Sequence, residues 1–191
     1  MDFFSYTNKL KPSKGRILVS EPFLPDPGFE RTIILLCEHN ADGSFGFVLN
    51  KPSPVNIGDV MEELAGFDMP LFVGGPVQQD TLHYLHRCAV VKDAIPVADE
   101  VYWGGDFENL KRLMETNRVR PGDIKFFLGY SGWSEGQLNN EIATNTWIVS
   151  DRVNGPLVFE SDPGQMWRDS LKRMGGRYSV YSNYPVDPRM N

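Results

Sequence analysis

The residues with the clearest capacity for chemistry stand together at Cys37-Glu38-His39-Asn40. A thiolate beside an imidazole, with an amide to orient it, is the logic of a cysteine hydrolase. The spacing works against that reading, because in a strand residues 37 and 39 point the same way but diverge, and a nucleophile and its base are usually brought together from separate segments. A buried thiol followed by a polar strand end is the first reading, and an enzyme using Cys37, Glu38 and His39 is the alternative. His83 and His86 share a face only on a helix; on a strand a three-residue offset sends them to opposite sides, and no second cluster at metal spacing accompanies them. Neither a metal nor a cofactor is expected.

Two glycine-rich segments are better candidates for binding. Gly74-Gly75-Pro76 follows a strand and could present backbone amides, but it lacks the Lys-Ser/Thr of a phosphate loop and the third glycine of a dinucleotide fingerprint. Gly129-Tyr130-Ser131-Gly132-Trp133 reads as a turn leaving the strand Ile124 to Leu128, with Tyr130 and Trp133 at the mouth of a helix. Large aromatics there offer apolar area and a polar handle. The candidate ligand or partner site therefore comprises Gly74, Gly75, Pro76, Gly129, Tyr130, Gly132, Trp133 and Gln137, with His39 and Asn40 from the polar strand end.

The elements that must position these residues are short. Arg16 to Ser20 and Thr32 to His39 read as strands, the second apolar on both faces, and Asp42-Gly43 turns it into an antiparallel partner over Ser44 to Leu49. Asn56 to Gly66 is expected to form one amphipathic helix, and Asp106 to cap a second that Pro121-Gly122 ends. Ser134 and Gln137 match a capping box opening a third helix. Trp147 to Val149 and Pro156 to Phe159 read as strands, and Asp162-Pro163 starts a last helix that Gly175-Gly176 stops. With 18 Gly and 14 Pro, many short elements are joined by tight turns. Hairpins mixed with isolated helices point to an α+β fold with a mixed or antiparallel sheet flanked by short helices.

The 191 residues are expected to form a single domain over 1–191, with 1–14 a lead-in and 178–191 a tail free to cover a surface or to move. A net charge of −6 speaks against a nucleic-acid binder, whose affinity rests on Lys and Arg neutralising phosphates. Two cysteines cannot build a disulfide framework. The acidic start lacks the basic, apolar plan of a signal peptide, and no run is long enough to span a bilayer. A cytoplasmic protein without a membrane role is expected, with a protein or a small molecule as partner.

Several segments carry a more specific signal: Asp26-Pro27-Gly28-Phe29-Glu30-Arg31-Thr32, Cys37-Glu38-His39-Asn40, Gly46 to Pro52, Gly74-Gly75-Pro76-Val77 and Phe127 to Trp133. In order and spacing the chain resembles the YqgE/AlgH family of bacterial proteins from about Gly15 to the helix around Trp167. The resemblance implies a compact α+β fold in which a small β-barrel and a branched sheet are flanked by helices. It implies less about function. The family is largely uncharacterised and is labelled a transcriptional regulator on a genetic link to exopolysaccharide (alginate) control, without an evident DNA-binding motif. A non-catalytic binding or regulatory protein is the reading that follows. Ser134-Glu135-Gly136 departs from the Gly-Pro-Gly-like turn more usual in the family, and the tail from Tyr178 is longer than many.

Overall fold

The computed structural model describes residues 6–186, and the parts of the expected lead-in and tail beyond them lie outside the described residues. One sheet of ten strands organises the described residues. Its strands are β1 (Ile17–Ser20), β2 (Ile33–Asn40), β3 (Gly43–Val48), β4 (Pro52–Asn56), β5 (Pro70–Val73), β6 (Val77–His86), β7 (Ile95–Ala98), β8 (Val101–Trp103), β9 (Ile124–Ser134) and β10 (Trp147–Ser150). The order is β10-β1-β2-β3-β9-β6-β8-β7, with β4 and β5 branching from β9.

The branch arises because β9 is long enough to hold two neighbours on one side. Its first half pairs in parallel with β5, Leu71 opposite Phe126 and Val73 opposite Leu128, while its second half pairs with β3 from Ser131 to Ser134. β6 lies along the other side. To pass from β5 to β6, Gly74-Gly75-Pro76 must cross β9, and it does so over Gly129. A Cβ on Gly75 would lie 2.2 Å from the Tyr130 carbonyl, and one on Gly74 2.4 Å from the Gly129 oxygen. Gly129 itself has φ +66°, a left-handed conformation that only glycine adopts without cost. The expected turn at 129–133 is therefore strand: the glycine bends β9, which then continues to Ser134.

The sheet is not a barrel, contrary to what the family resemblance implies. Among the described residues β10 pairs only with β1 and β7 only with β8, so the two ends stay open. Other groups occupy the gap. The helical turn Pro156–Glu160 and helix α4 (Met166–Met174) bring Leu157, Val158, Met166, Trp167 and Leu171 into one cluster with Ile148 of β10 and Val97 of β7. The free edge of β10 is satisfied by the Asn8 side chain, which donates to the Trp147 carbonyl at 2.9 Å and accepts from the Val149 N–H at 2.8 Å. Capping an edge in this way blunts its tendency to pair with another chain.

Local chemistry explains the other departures. Pro156 to Glu160 is helical rather than extended because Asn154 accepts from the Leu157 N–H at 3.0 Å and Pro156 occupies a first-turn position. The helix expected from Asn56 to Gly66 is cut to α1 (Ile57–Val60) and a tight turn over Glu62–Leu64, since Met61 is extended at φ −136°. Helix α2 (Phe107–Glu115) keeps its Asp106 cap, which accepts from the Asn109 N–H. Helix α3 (Gln137–Ala143) is capped at Gly136, two residues later than expected; of the expected capping box only the Gln137 half is present, accepting from the Ser134 N–H at 3.0 Å. Beyond α4, α5 (Gly176–Tyr181) docks the chain: Tyr181 is buried, and Tyr184 stacks on Phe23 at 5.4 Å.

Three hydrophobic clusters result. The largest fills the face covered by α4; α1 and α2 close a second over β5, β6 and β9; α3 closes a third over β1, β2, β3 and β10. Lys125 in β9 is 7% exposed, its ammonium 4.1 Å from the centroid of Phe72 and donating to the Val158 carbonyl. Burial pushes its pKa from 10.5 down to about 7. Between those values the unfolded chain holds a proton that the folded chain has released, so stability rises with pH across that window, by at most about 1.4 kcal/mol per unit. From about pH 9 the buried Cys37 thiol opposes this rise, and above pH 10 the Tyr84 phenol, pushed up to about 12 by burial, does so too, because in each case the unfolded chain loses its proton first. Denaturant midpoints measured from about pH 7 to 8.5 are expected to climb in the native protein and to stay nearly level in Lys125→Met.

Candidate functional site

The polar end of β2 is shaped by a bulge. Leu36 pairs with Gly46 and Glu38 with Phe45, leaving Cys37 as the extra residue. Ile33, Leu35 and Cys37 face the largest cluster, and Ile34 and Leu36 the third. After the bulge the alternation slips by one. Glu38 and Asn40 then lie on the side of Phe45 and line one cleft, whereas His39 turns to the opposite side and borders a shallow depression with Asn139 and Ile142. Cys37 and His39, expected to share a side, do not.

This separation removes the elements of a thiol hydrolase. Cys37 is 2% exposed, and burial pushes its thiol well above its ordinary range. The His39 Nδ1 is engaged with the Ser44 hydroxyl at 2.6 Å, across the hairpin. His83 and His86 also lie on opposite sides of β6. His86 is fully buried, with Nε2 on the Gly104 carbonyl at 2.8 Å and Nδ1 accepting from the Cys88 N–H, an arrangement that holds the ring neutral. Burial lowers the pKa of both imidazoles. Among the described residues no group of three or more His, Cys, Asp or Glu could hold a metal ion.

What the hairpin does build is a cleft of about 600 Å³ where β2, β3, β6, β8 and β9 meet. Phe45, Trp103 and Tyr130 form its wall, each half-buried. Phe45 meets Trp103 edge-on at 4.9 Å and Tyr130 at 6.0 Å, and His83 meets Tyr130 at 5.9 Å. Gly132 keeps the space open, for a Cβ there would sit 3.3 Å from the Tyr130 ring. Glu38, Asn40 and Asp42 form the rim. Asn40 fixes it by donating to Glu38 Oε1 at 2.7 Å and accepting from the Asp42 N–H at 2.9 Å.

Of the expected ligand or partner site, Asn40, Tyr130, Gly132 and Trp133 come together here and its other members do not; Glu38 and His83, singled out for catalysis and metal binding, line the cleft as well. Trp133 borders the cleft but its indole belongs to the third cluster, where Trp133 and Trp147 both donate to Glu141 Oε2, at 2.8 and 2.7 Å. Gln137 is exposed and donates to the other oxygen of Glu141. Gly74 and Gly75 are spent on the crossing: the Gly74 carbonyl takes the Val48 N–H and its own N–H goes to Leu128. Pro76 is exposed beside it, and Gly129 is buried beneath it. Sequence reasoning does not single out Phe45, Val77 or Trp103, since in one dimension a half-exposed aromatic looks like a core one. The one signal available is that Phe45 and Phe47 share a side and Phe45 lies nearer the Asp42-Gly43 turn.

A family model described as AlgH-like (DUF179) matches residues 17–179. A UPF0301 protein of Cytophaga hutchinsonii is 49% identical over 181 residues, covering 94% of this chain and 99% of its own. One from Bacteroides thetaiotaomicron is 41% identical, with 97% and 94% covered. Among solved structures, protein DIP2367 of Corynebacterium diphtheriae superimposes with a TM-score of 0.76 at 25% identity, covering 94% of this chain and 95% of that one. The solution structure of the AlgH protein from Pseudomonas aeruginosa gives 0.69 at 26%, over 94% and 98%. The chain belongs to the AlgH-like, or UPF0301, family of bacterial proteins. No helix of the described residues is long and apolar enough to cross a membrane.

Two outcomes are expected from this geometry. Native protein treated with iodoacetamide at neutral pH will leave Cys37 unmodified, as mass spectrometry of its peptide will show, and urea will expose it. Glu141→Ala strands two indole N–H groups and should cost about 2 kcal/mol in urea unfolding, with altered near-UV circular dichroism from Trp133 and Trp147.

Proposed function

We propose that this chain is a non-catalytic binding or regulatory protein of the cytoplasm that acts through the cleft between Phe45, Trp103 and Tyr130. The observation that carries the reading is the cleft itself: half-buried aromatics left around about 600 Å³ of open space, with a glycine at position 132 where any side chain would intrude. That volume lies in the range of small-molecule sites, and its apolar walls with a few fixed polar groups have their usual composition. A small molecule therefore suits the cleft better than a protein partner. The unpaired thiols of Cys37 and Cys88 suit a reducing compartment.

Direct binding of DNA has less support. The cleft rim is acidic, and several basic side chains are engaged in ion pairs, Lys111 with Glu63 and Glu108, Arg120 with Asp123, and Arg87 with Glu100 and Glu160. The catalytic alternative loses its support in the opposite facing of Cys37 and His39.

A thermal-shift screen against pooled metabolites, nucleotides and short DNA duplexes tests the reading. A cleft ligand at a hundredfold excess over its Kd should raise the midpoint by roughly 5–10 °C. The same ligand should have no effect on Gly132→Leu, which fills the space beside Tyr130 at an exposed position whose backbone conformation any residue can adopt. A shift that survives in Gly132→Leu would place binding elsewhere, and a response confined to DNA would overturn the reading.

A further inference from the structure

The proposed binding role says nothing of what the cleft prefers, but the charge around it is one-sided. Glu38 and Asp42 stand on the rim, and among the described residues neither Lys nor Arg lines the cleft. His83 brings no compensating charge at neutral pH, since burial lowers its pKa further below 6.5. The walls act in the same direction. Aromatic faces carry negative quadrupole density, which attracts an organic cation within about 6 Å of the ring centroid and repels an anion. Phe45, Trp103 and Tyr130 present such surface, and their ring contacts in edge-on geometry leave the three planes differently directed.

We propose that the cleft binds a small organic cation, an ammonium or guanidinium group on an apolar stem, with its charge between the Glu38 and Asp42 rim and the wall of Phe45, Trp103 and Tyr130. This rests on the cleft being the binding site. The site excludes phosphate and carboxylate compounds by the same two means, because each would meet like charge at the rim and the ring faces within. A bare metal ion does not suit it: the two carboxylates lie on one hairpin without a third ligand, and Asn40 already occupies one Glu38 oxygen. The apolar wall would be wasted on it. Exposed carboxylates are screened by solvent and salt, so the rim supplies selection more than strength, and affinity should fall as ionic strength rises.

The experiment uses matched probes on the full chain, followed by calorimetry and by NMR shifts of the Trp103 indole. Choline is compared with its uncharged carbon isostere, 3,3-dimethylbutan-1-ol, and phenethylamine with phenylacetate. The cations are expected to bind about tenfold more tightly than their counterparts and to move the Trp103 signal. Glu38→Gln with Asp42→Asn, at two exposed positions outside the core, should weaken the cations about threefold or more and leave the isostere unchanged. Equal or tighter binding of the isostere or of phenylacetate at the same signal would overturn the cation preference while leaving the cleft as the site. Cation binding that ignores the double variant, or no movement of Trp103 by either amine at millimolar concentration, would overturn it as well. The binding role itself falls only if the wider screen finds no ligand that Gly132→Leu abolishes.

Discussion

The backbone crossing of Gly74-Gly75 over Gly129 is the constraint on which the molecule depends. At that point the chain leaves β5 on one side of β9 and enters β6 on the other, and the approach leaves no room for a Cβ on either partner. Because Gly74 also takes the Val48 N–H, the crossing ties β3 to the branch and sets where the two halves of β9 change neighbours. The Ser131 hydroxyl donates to the same carbonyl at 3.1 Å, so the junction is satisfied as well as close-packed. The cleft lies immediately beyond it, bounded by Val77 and Tyr130, the first residues past the crossing on each strand. Glycine is needed here for backbone contact rather than for a ligand.

A second local device, the bulge at Cys37, decides what that cleft contains. One unpaired residue reverses the alternation of β2, carrying Glu38 and Asn40 to the aromatic side and His39 away from it. Without it, the thiol and imidazole would share a face and the acidic rim would point toward α3. On that other face, Glu141 gathers two indole N–H groups, so Trp133 of the family motif, together with Trp147, fastens α3 to β9 and β10. Packing has claimed Trp133, and Tyr130, three residues earlier and on the opposite side of the strand, is left to line the cleft.

Other motif residues are likewise structural. Asn50 donates to the Arg31 carbonyl and accepts from the Ile33 N–H, closing the start of β2 where Arg31 takes a positive φ of 49°. Asp26 holds the Gly28 N–H, and the Arg31 guanidinium lies 4.7 Å from the Trp167 ring, whose N–H reaches the Ser20 carbonyl. The residues that identify the family thus mainly hold the sheet and its helices together. The cleft is assembled around them from side chains on five separate strands.

The sequence by itself determined the local elements whose signals are short-range: the β2–β3 hairpin around Asp42, the Asp106 cap, the α+β mixture and, through its motifs, the family. Each depends on contacts between residues a few positions apart, so composition and spacing suffice. Tertiary structure alone decided that β9 runs on through Gly129, that the sheet stays open while α4 fills the gap between its ends, and that Pro156 to Glu160 coils. It also decided the face of every residue after Cys37. A bulge shifts side-chain parity by one without leaving a composition signal, and a glycine that serves a turn cannot be told from one that serves a crossing until the strand beneath it is in place.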